Sequence, residues 1–522
     1  MQDWLSRLAD PPAFRAFLRH IRSRDFRIAL GLCLPALIVA VLVRGGLMAF
    51  MPAAFVHNDT SSIVETASDL LTRGVFAIDS KKTFLAPLLY CVPALLHIPI
   101  LPFLAVVQHL LGLVTIILGG LLVYAWFGHW RWLIVPVTLF LAVDPVLLWY
   151  EHVALPETFA VFGVLLVALA STAFYRIPNR YTFAALLLAV LFMAGARPEG
   201  RLFALFAVIL VARVLWGRWQ AWRLGVAISL VWTVLLFSLT RTHQSGLLLL
   251  TSVLHLSPTH LSLSPGVAEN LSSLADQARI DWTKPNPPKL VALRKEISNR
   301  LRAQTGLKDI DPVCRRAGLE IALRNLGTLP DLALHKFVVA HRELPSSEFN
   351  DYAIAGQLDA LYGNGDEQKN LQDARFLWGR EFASQADARA YLEQAYRPVP
   401  GDILTKWLHD YVTASIASIA PLRLPGSSAS EVPIQGLPWL YTFAVFGMLA
   451  LALRDPRPLN VHQLWGLFLI GLWLLIMVTA NIRARFRVLF EPLWIIYAFA
   501  MLDSFLILIA RLRPRARAPR SA

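Results

Sequence analysis

Long unbroken apolar runs decide what this chain can fold into. From Ile28 to Phe50 the sequence carries a single charge, Arg44. An α-helix rises 1.5 Å per residue, so about 20 apolar residues match the roughly 30 Å hydrocarbon thickness of a bilayer. Comparable runs recur at 102–127, 131–148, 157–175, 181–196, 201–217, 222–240, 436–453, 461–480 and 487–511, each mostly Leu, Val, Ala, Ile and Phe. Hydrophobic residues make up 56% of the 522 positions and charged ones only 16%, outside the usual soluble range. The reading is an all-α polytopic membrane protein of about ten transmembrane helices.

The formal net charge of +14 raises nucleic acid as a partner, but the arginines sit in short clusters between the apolar runs and form no single stripe or recognition helix. That pattern is the positive-inside signature, and nucleic acid is set aside. Arg7, Arg15, Arg19, Arg22, Arg24 and Arg27 precede the first run, which exceeds a signal-peptide core and reads as an uncleaved span. If Phe84–Ile100 is re-entrant or interfacial, Arg131, Arg176, Arg180, Arg218, Arg223, Arg454, Arg457 and the tail from Arg511 to Arg520 share the N-terminal side. If it crosses, they alternate between sides. Parity therefore favours about ten spans with both termini cytoplasmic, in a cell inner (plasma) membrane.

Three parts follow: an N-terminal membrane module 1–240 with a first outer loop 51–101, a mixed but mainly helical extracytoplasmic domain 241–437, and a C-terminal membrane module 438–522 with a basic cytoplasmic tail. Within the large polar part, Pro312–Leu326 and Asp373–Ala395 read as helices broken by Pro and Gly. The three cysteines, Cys33, Cys91 and Cys314, have no metal-ligand spacing, and a Cys91–Cys314 disulfide stays open.

Chemistry concentrates on the outer face of this layout. In the first outer loop, Ile63, Val64, Ala67, Leu70 and Leu71 repeat at helical spacing, predicting an amphipathic helix lying on the interface and stopped by Gly74. Ser62 and Glu65 fit a capping box, a structural role. Asp59, just before the helix, is either an N-terminal cap or an ionised carboxylate able to act as a general base toward an acceptor hydroxyl. His57 lies beside it, and Lys81, Lys82 and Tyr90 follow. A lysine at headgroup depth either snorkels or pairs with a lipid phosphate.

The second outer loop, 144–157, packs Asp144, Glu151, His152 and Glu157 between two spans. Ionisable groups there are costly and point to function, although Glu157 opens a helix and also suits the helix dipole. Their spacing matches no standard metal motif; no metal is assigned, no cofactor is required, and a divalent ion stays open. Arg197 in a short turn, and Arg485 and Arg487 before the last span, lie on the side where arginines are scarce. They call for salt bridges or for a phosphate held in bidentate fashion.

Taken in order, an acid ahead of an interfacial helix, a second acidic loop, and Arg485-Phe486-Arg487 with Pro492 before the last span resemble the GT-C superfamily of lipid-linked-sugar glycosyltransferases, in particular the bacterial protein mannosyltransferase and aminoarabinose transferase branch. The resemblance covers roughly the first 200 residues and the last three spans. It implies a GT-C-like fold with loop 51–101 as the catalytic loop, Asp59 as base, and Glu151 or Glu157 as the second acid. Lys82, Arg485, Arg487 and Arg197 would hold the donor phosphate, and His57, Tyr90 and His152 would position substrate. The donor would be a polyprenyl-phosphate-linked sugar and the acceptor a glycan, lipid or protein hydroxyl, among membrane lipids. The sequence departs from the family pattern in having Asn58 before the aspartate with no acid directly after it. It also has Lys81-Lys82-Thr83-Phe84-Leu85-Ala86-Pro87 in place of a lysine-proline-proline run. A transporter or flippase of a lipid-linked glycan is the competing expectation; it predicts repeated halves and interrupted helices at the midplane.

Overall fold

The computed structural model describes residues 24–50, 52–56, 60–74, 83–127, 131–239, 245–256, 265–275, 288–307, 309–330, 332–333, 367–395, 439–454, 459–479 and 488–512. The described residues are 86% helical and include no strand beyond an isolated bridge. In chain order the helices are α1 (Arg24–Phe50), α2 (Thr60–Arg73), α3 (Leu85–Leu95), α4 (Ile100–Trp126), α5 (Ile134–Val143), α6 (Pro145–Tyr150), α7 (Glu157–Arg176), α8 (Arg180–Ala196), α9 (Leu202–Val214) and α10 (Trp219–Leu239). There follow α11 (Ser245–Val253), α12 (Pro265–Ala275), α13 (Pro288–Thr305), α14 (Asp311–Arg324), α15 (Glu367–Trp378), α16 (Gln385–Ala395), α17 (Trp439–Arg454), α18 (Val461–Thr479) and α19 (Glu491–Leu512).

Among the described residues, five helices are long and apolar enough to cross a membrane: α1, α4, α7, α10 and α19. Shorter apolar helices cover 85–95, 131–143, 180–196, 440–454 and 461–473. At eleven residues, α3 is about 16 Å long, well short of the hydrocarbon core. The run 131–148, expected as one span, is broken. Asp144 leaves the helical region at ψ 118°, its carboxylate accepts the Leu147 N–H, and Pro145 starts the separate short helix α6. A proline at the first helical position needs no N–H donor, so the break is built into the Asp-Pro pair.

Helix α1 packs on α4 and α5, α7 on α4 and α8, α9 on α10, and α17 on α19. Close approach needs small residues: a Cβ at Gly120 of α4 would run into the Cys33 sulfur of α1 and the Thr138 methyl of α5. At one end of these helices Arg131 pairs with Asp25 at 2.6 Å, both partly exposed. Near the other end of α1, Arg44 donates to the Ala142 carbonyl at the end of α5.

The polar part of the chain contains two differently placed pieces. Helices α11–α14 share their own apolar core, with Leu250, Val253, Ile297, Cys314, Ala317 and Ile321 fully buried. Helices α15 and α16 instead belong to the main core, where Leu377, Trp378 and Phe382 join the bundle and α15 lies against α2 and α4. Cys33, Cys91 and Cys314 are all free and buried, so the Cys91–Cys314 cross-link is absent.

Candidate functional site

The segments around Phe55 and Val153 are tied directly together. Phe55 and Val153 form a parallel bridge, in which the Phe55 N–H donates to the His152 carbonyl and the Ala154 N–H donates to the Phe55 carbonyl, both at 2.7 Å. Five residues further on, the Thr60 hydroxyl donates to the Ala154 carbonyl at 3.0 Å, and the Tyr90 hydroxyl reaches the same oxygen at 2.9 Å. Helix α2 begins at Thr60, three residues earlier than a Ser62–Glu65 capping box requires, and Glu65 is exposed within the helix. Its Ile63, Val64 and Ala67 are buried, as the amphipathic spacing predicts.

Beneath this clasp lies a chain of ionisable groups. Arg44 holds Glu151 in a fork, its Nε and Nη2 each 2.7 Å from a carboxylate oxygen. The side chains are only 4% and 5% exposed. His109 Nδ1 is 3.0 Å from Glu151 Oε2, and His109 Nε2 is 3.0 Å from His152 Nδ1. Helix α4 admits the carboxylate because it has glycine at 112, where a Cβ would occupy the place of the Glu151 oxygens. An ionised carboxylate only accepts, so His109 Nδ1 carries the proton. A neutral His109 then accepts from His152 Nδ1–H, whereas a protonated His109 donates to it and reverses the His152 tautomer. The state of one imidazole thus sets which nitrogen of the other is basic.

A second charged group flanks the first. Glu157, the first residue of α7, accepts from Arg197 Nη1 at 2.7 Å, and Arg197 also contacts Glu199 at 3.1 Å. Arg197 is buried, so its charge is balanced locally by two carboxylates. Gln108 donates to the Leu155 carbonyl at 2.8 Å. Its Oε1 and Glu157 Oε2 are buried acceptors with no hydrogen-bond partner among the described residues.

Of the residues singled out from sequence, Glu151, His152, Glu157, Tyr90 and Arg197 are gathered around the segment 151–157. Asp59, His57, Lys82, Arg485 and Arg487 lie outside the described residues. Sequence reasoning missed Arg44, Gln108 and His109 as members of the group. The signal was present, because an arginine and a Gln-His pair inside apolar helices must find polar partners. No three His, Cys, Asp or Glu side chains among the described residues are arranged to hold a metal ion. No family model matches the chain, and no curated protein is similar to it in sequence.

Proposed function

We propose that the chain is an integral-membrane glycosyltransferase of GT-C-like architecture, with about ten spans and both termini cytoplasmic. It moves a sugar from a polyprenyl-phosphate donor to an acceptor hydroxyl on the outer face of an inner (plasma) membrane. The observation that carries this reading is the clasp between the two outer loops. Residues 55 and 60, on either side of Asp59, are hydrogen-bonded to 152–154, next to the buried Arg44–Glu151–His109–His152 chain. The acceptors Gln108 Oε1 and Glu157 Oε2 support it further, since buried acceptors call for donors and sugar hydroxyls supply them.

In the reaction, the bond between the anomeric carbon and the donor phosphate oxygen breaks, and its electron pair stays on the phosphate. The acceptor oxygen attacks the opposite face, so the configuration inverts, and its proton passes to the Asp59 carboxylate. Lys82, Arg485 and Arg487 stabilise the leaving phosphate as its charge grows. Arg197, held by Glu157 and Glu199, reaches a phosphate only by exchanging one of those carboxylates. Glu151 acts through the histidines as a positioning residue. The mechanism needs no cofactor.

The test uses the full chain in liposomes with a panel of radiolabelled polyprenyl-phosphate sugars. Asp59→Asn is expected to abolish transfer while leaving donor binding nearly intact, and wild-type turnover by that variant sinks the mechanism. Arg485→Ala with Arg487→Ala is expected to weaken donor binding. A second reading, export of a lipid-linked glycan, draws on the buried ionisable groups of α1, α4 and the 151–152 turn, which suit a proton relay. Movement of intact donor across the bilayer without cleavage would favour it.

A further inference from the structure

Helix α14 is apolar on two sides. Its inner side, Cys314, Ala317 and Ile321, builds the core of the α11–α14 unit. Its outer side carries Leu319, Leu323 and, in the following turn, Leu326, which are 49%, 64% and 60% exposed. These positions fall at i, i+4 and i+7, one line along a helix. Arg315 and Arg316 stand exposed one turn before Leu319, at the N-terminal end of the same line. Such a pattern, leucines in a row with arginines at one end, is that of a helix lying in a membrane interface.

The position of α14 fits that pattern. The chain runs from α10, a helix long and apolar enough to span, through five residues into α11. Helix α11 crosses α14 at close range, since a Cβ on Gly246 would strike the Asp311 carbonyl and the Arg315 backbone. Asp311 fixes the crossing by accepting the Gly246 N–H at 2.7 Å and the Leu247 N–H at 3.2 Å. Helix α11 also packs on α18 of the bundle. Arg315 lies near enough to Arg201, in the turn between α8 and α9, for their charges to repel. The arginine end of the stripe therefore sits level with the ends of bundle helices, where phospholipid headgroups would meet it.

We infer that the Leu319–Leu323–Leu326 face of α14 lies in the bilayer interface, its leucines among acyl chains and Arg315 and Arg316 on anionic phospholipid headgroups. The α11–α14 unit would then be held against the membrane as well as against the bundle. This inference is independent of the catalytic reading. The complementary charge of the arginines and the direct continuity with the bundle favour lipid over a protein partner.

The test uses the full-length chain in liposomes, with an environment-sensitive fluorophore on Leu323→Cys and, as control, on Arg324→Cys one residue round the helix. The native cysteines are buried and stay unlabelled. Spin-labelled acyl chains are expected to quench the label at 323 and aqueous iodide to quench it at 324. Raising the phosphatidylglycerol content should deepen the lipid quenching at 323, and Arg316→Gln should reduce that dependence. Equal iodide quenching at both sites overturns the inference. Protection of 323 from both quenchers also overturns it, because the face is then covered by protein, either another part of this chain or a partner.

Discussion

Replacing Arg44 by methionine removes the only guanidinium that forks onto Glu151 among the described residues and leaves the carboxylate buried in an apolar bundle. The geometry sets the scale, with two contacts of 2.7 Å, a third bond to the Ala142 carbonyl, and side chains only 4% and 5% exposed. Water screens such a pair very little, and breaking one by removing a single partner costs about 3–5 kcal/mol. That corresponds to a shift of roughly 150- to 5,000-fold in the unfolding equilibrium. Arg44→Met combined with Glu151→Gln removes both charges while an amide can still meet His109, so the double variant should regain most of the loss. Reversible unfolding in mixed micelles, run as a double-mutant cycle, reads the coupling, which is expected to exceed about 1 kcal/mol. A single variant within about 0.5 kcal/mol of wild type, or losses that simply add, refutes the argument that Glu151 depends on Arg44.

Gly112→Ala places a methyl where the Glu151 carboxylate sits, so it should destabilise by about 1–3 kcal/mol, and by less when added to an Arg44→Met, Glu151→Ala background, in which the carboxylate and its ion-pair partner are both gone. Asp311→Ala removes the carboxylate that caps α11, and the α11–α14 unit should lose about 1–2 kcal/mol, read as faster hydrogen exchange at Gly246 and Leu247. Burial, assisted by the charge of Asp311, pushes the Cys314 thiol from an ordinary value of 9.0 up to about 12. At neutral pH a maleimide should therefore leave Cys314 unmodified until the domain is denatured. Because the folded form keeps this proton when the unfolded form loses it, the contribution is complete below pH 9.0 and disappears as pH climbs toward about 12, which alkaline melting curves can follow.

The helical layout was legible because a bilayer demands runs of apolar residues of known length, and the runs at 28–50, 102–127 and 157–175 correspond to α1, α4 and α7. The break at Asp144 was harder to see, since Val137–Leu148 stays apolar around it and only the Asp-Pro dipeptide marks the end of α5. The Ser62–Glu65 capping box was a local rule overridden by a long-range bond, because Thr60 reaches Ala154 and starts the helix earlier. Glu151 and His152 were visible as unusual residues, but their partners lie 107 and 43 positions away and no spacing rule joins them. The order of acids and arginines along the chain carries no information about Arg44, whose role depends on where α1 ends beside α5.

The division of the polar insertion into two differently anchored pieces bears on how it can be engineered. Excising 245–330 would remove a unit whose buried apolar core is its own, giving up the packing of α11 on α18. Excising 367–395 would strip Leu377, Trp378 and Phe382 from the main core and open a wet seam beside α2 and α4. A chimera that exchanges the α11–α14 unit should therefore be cut within the residues between α14 and α15, so that the scaffold keeps the second piece and only the first is traded.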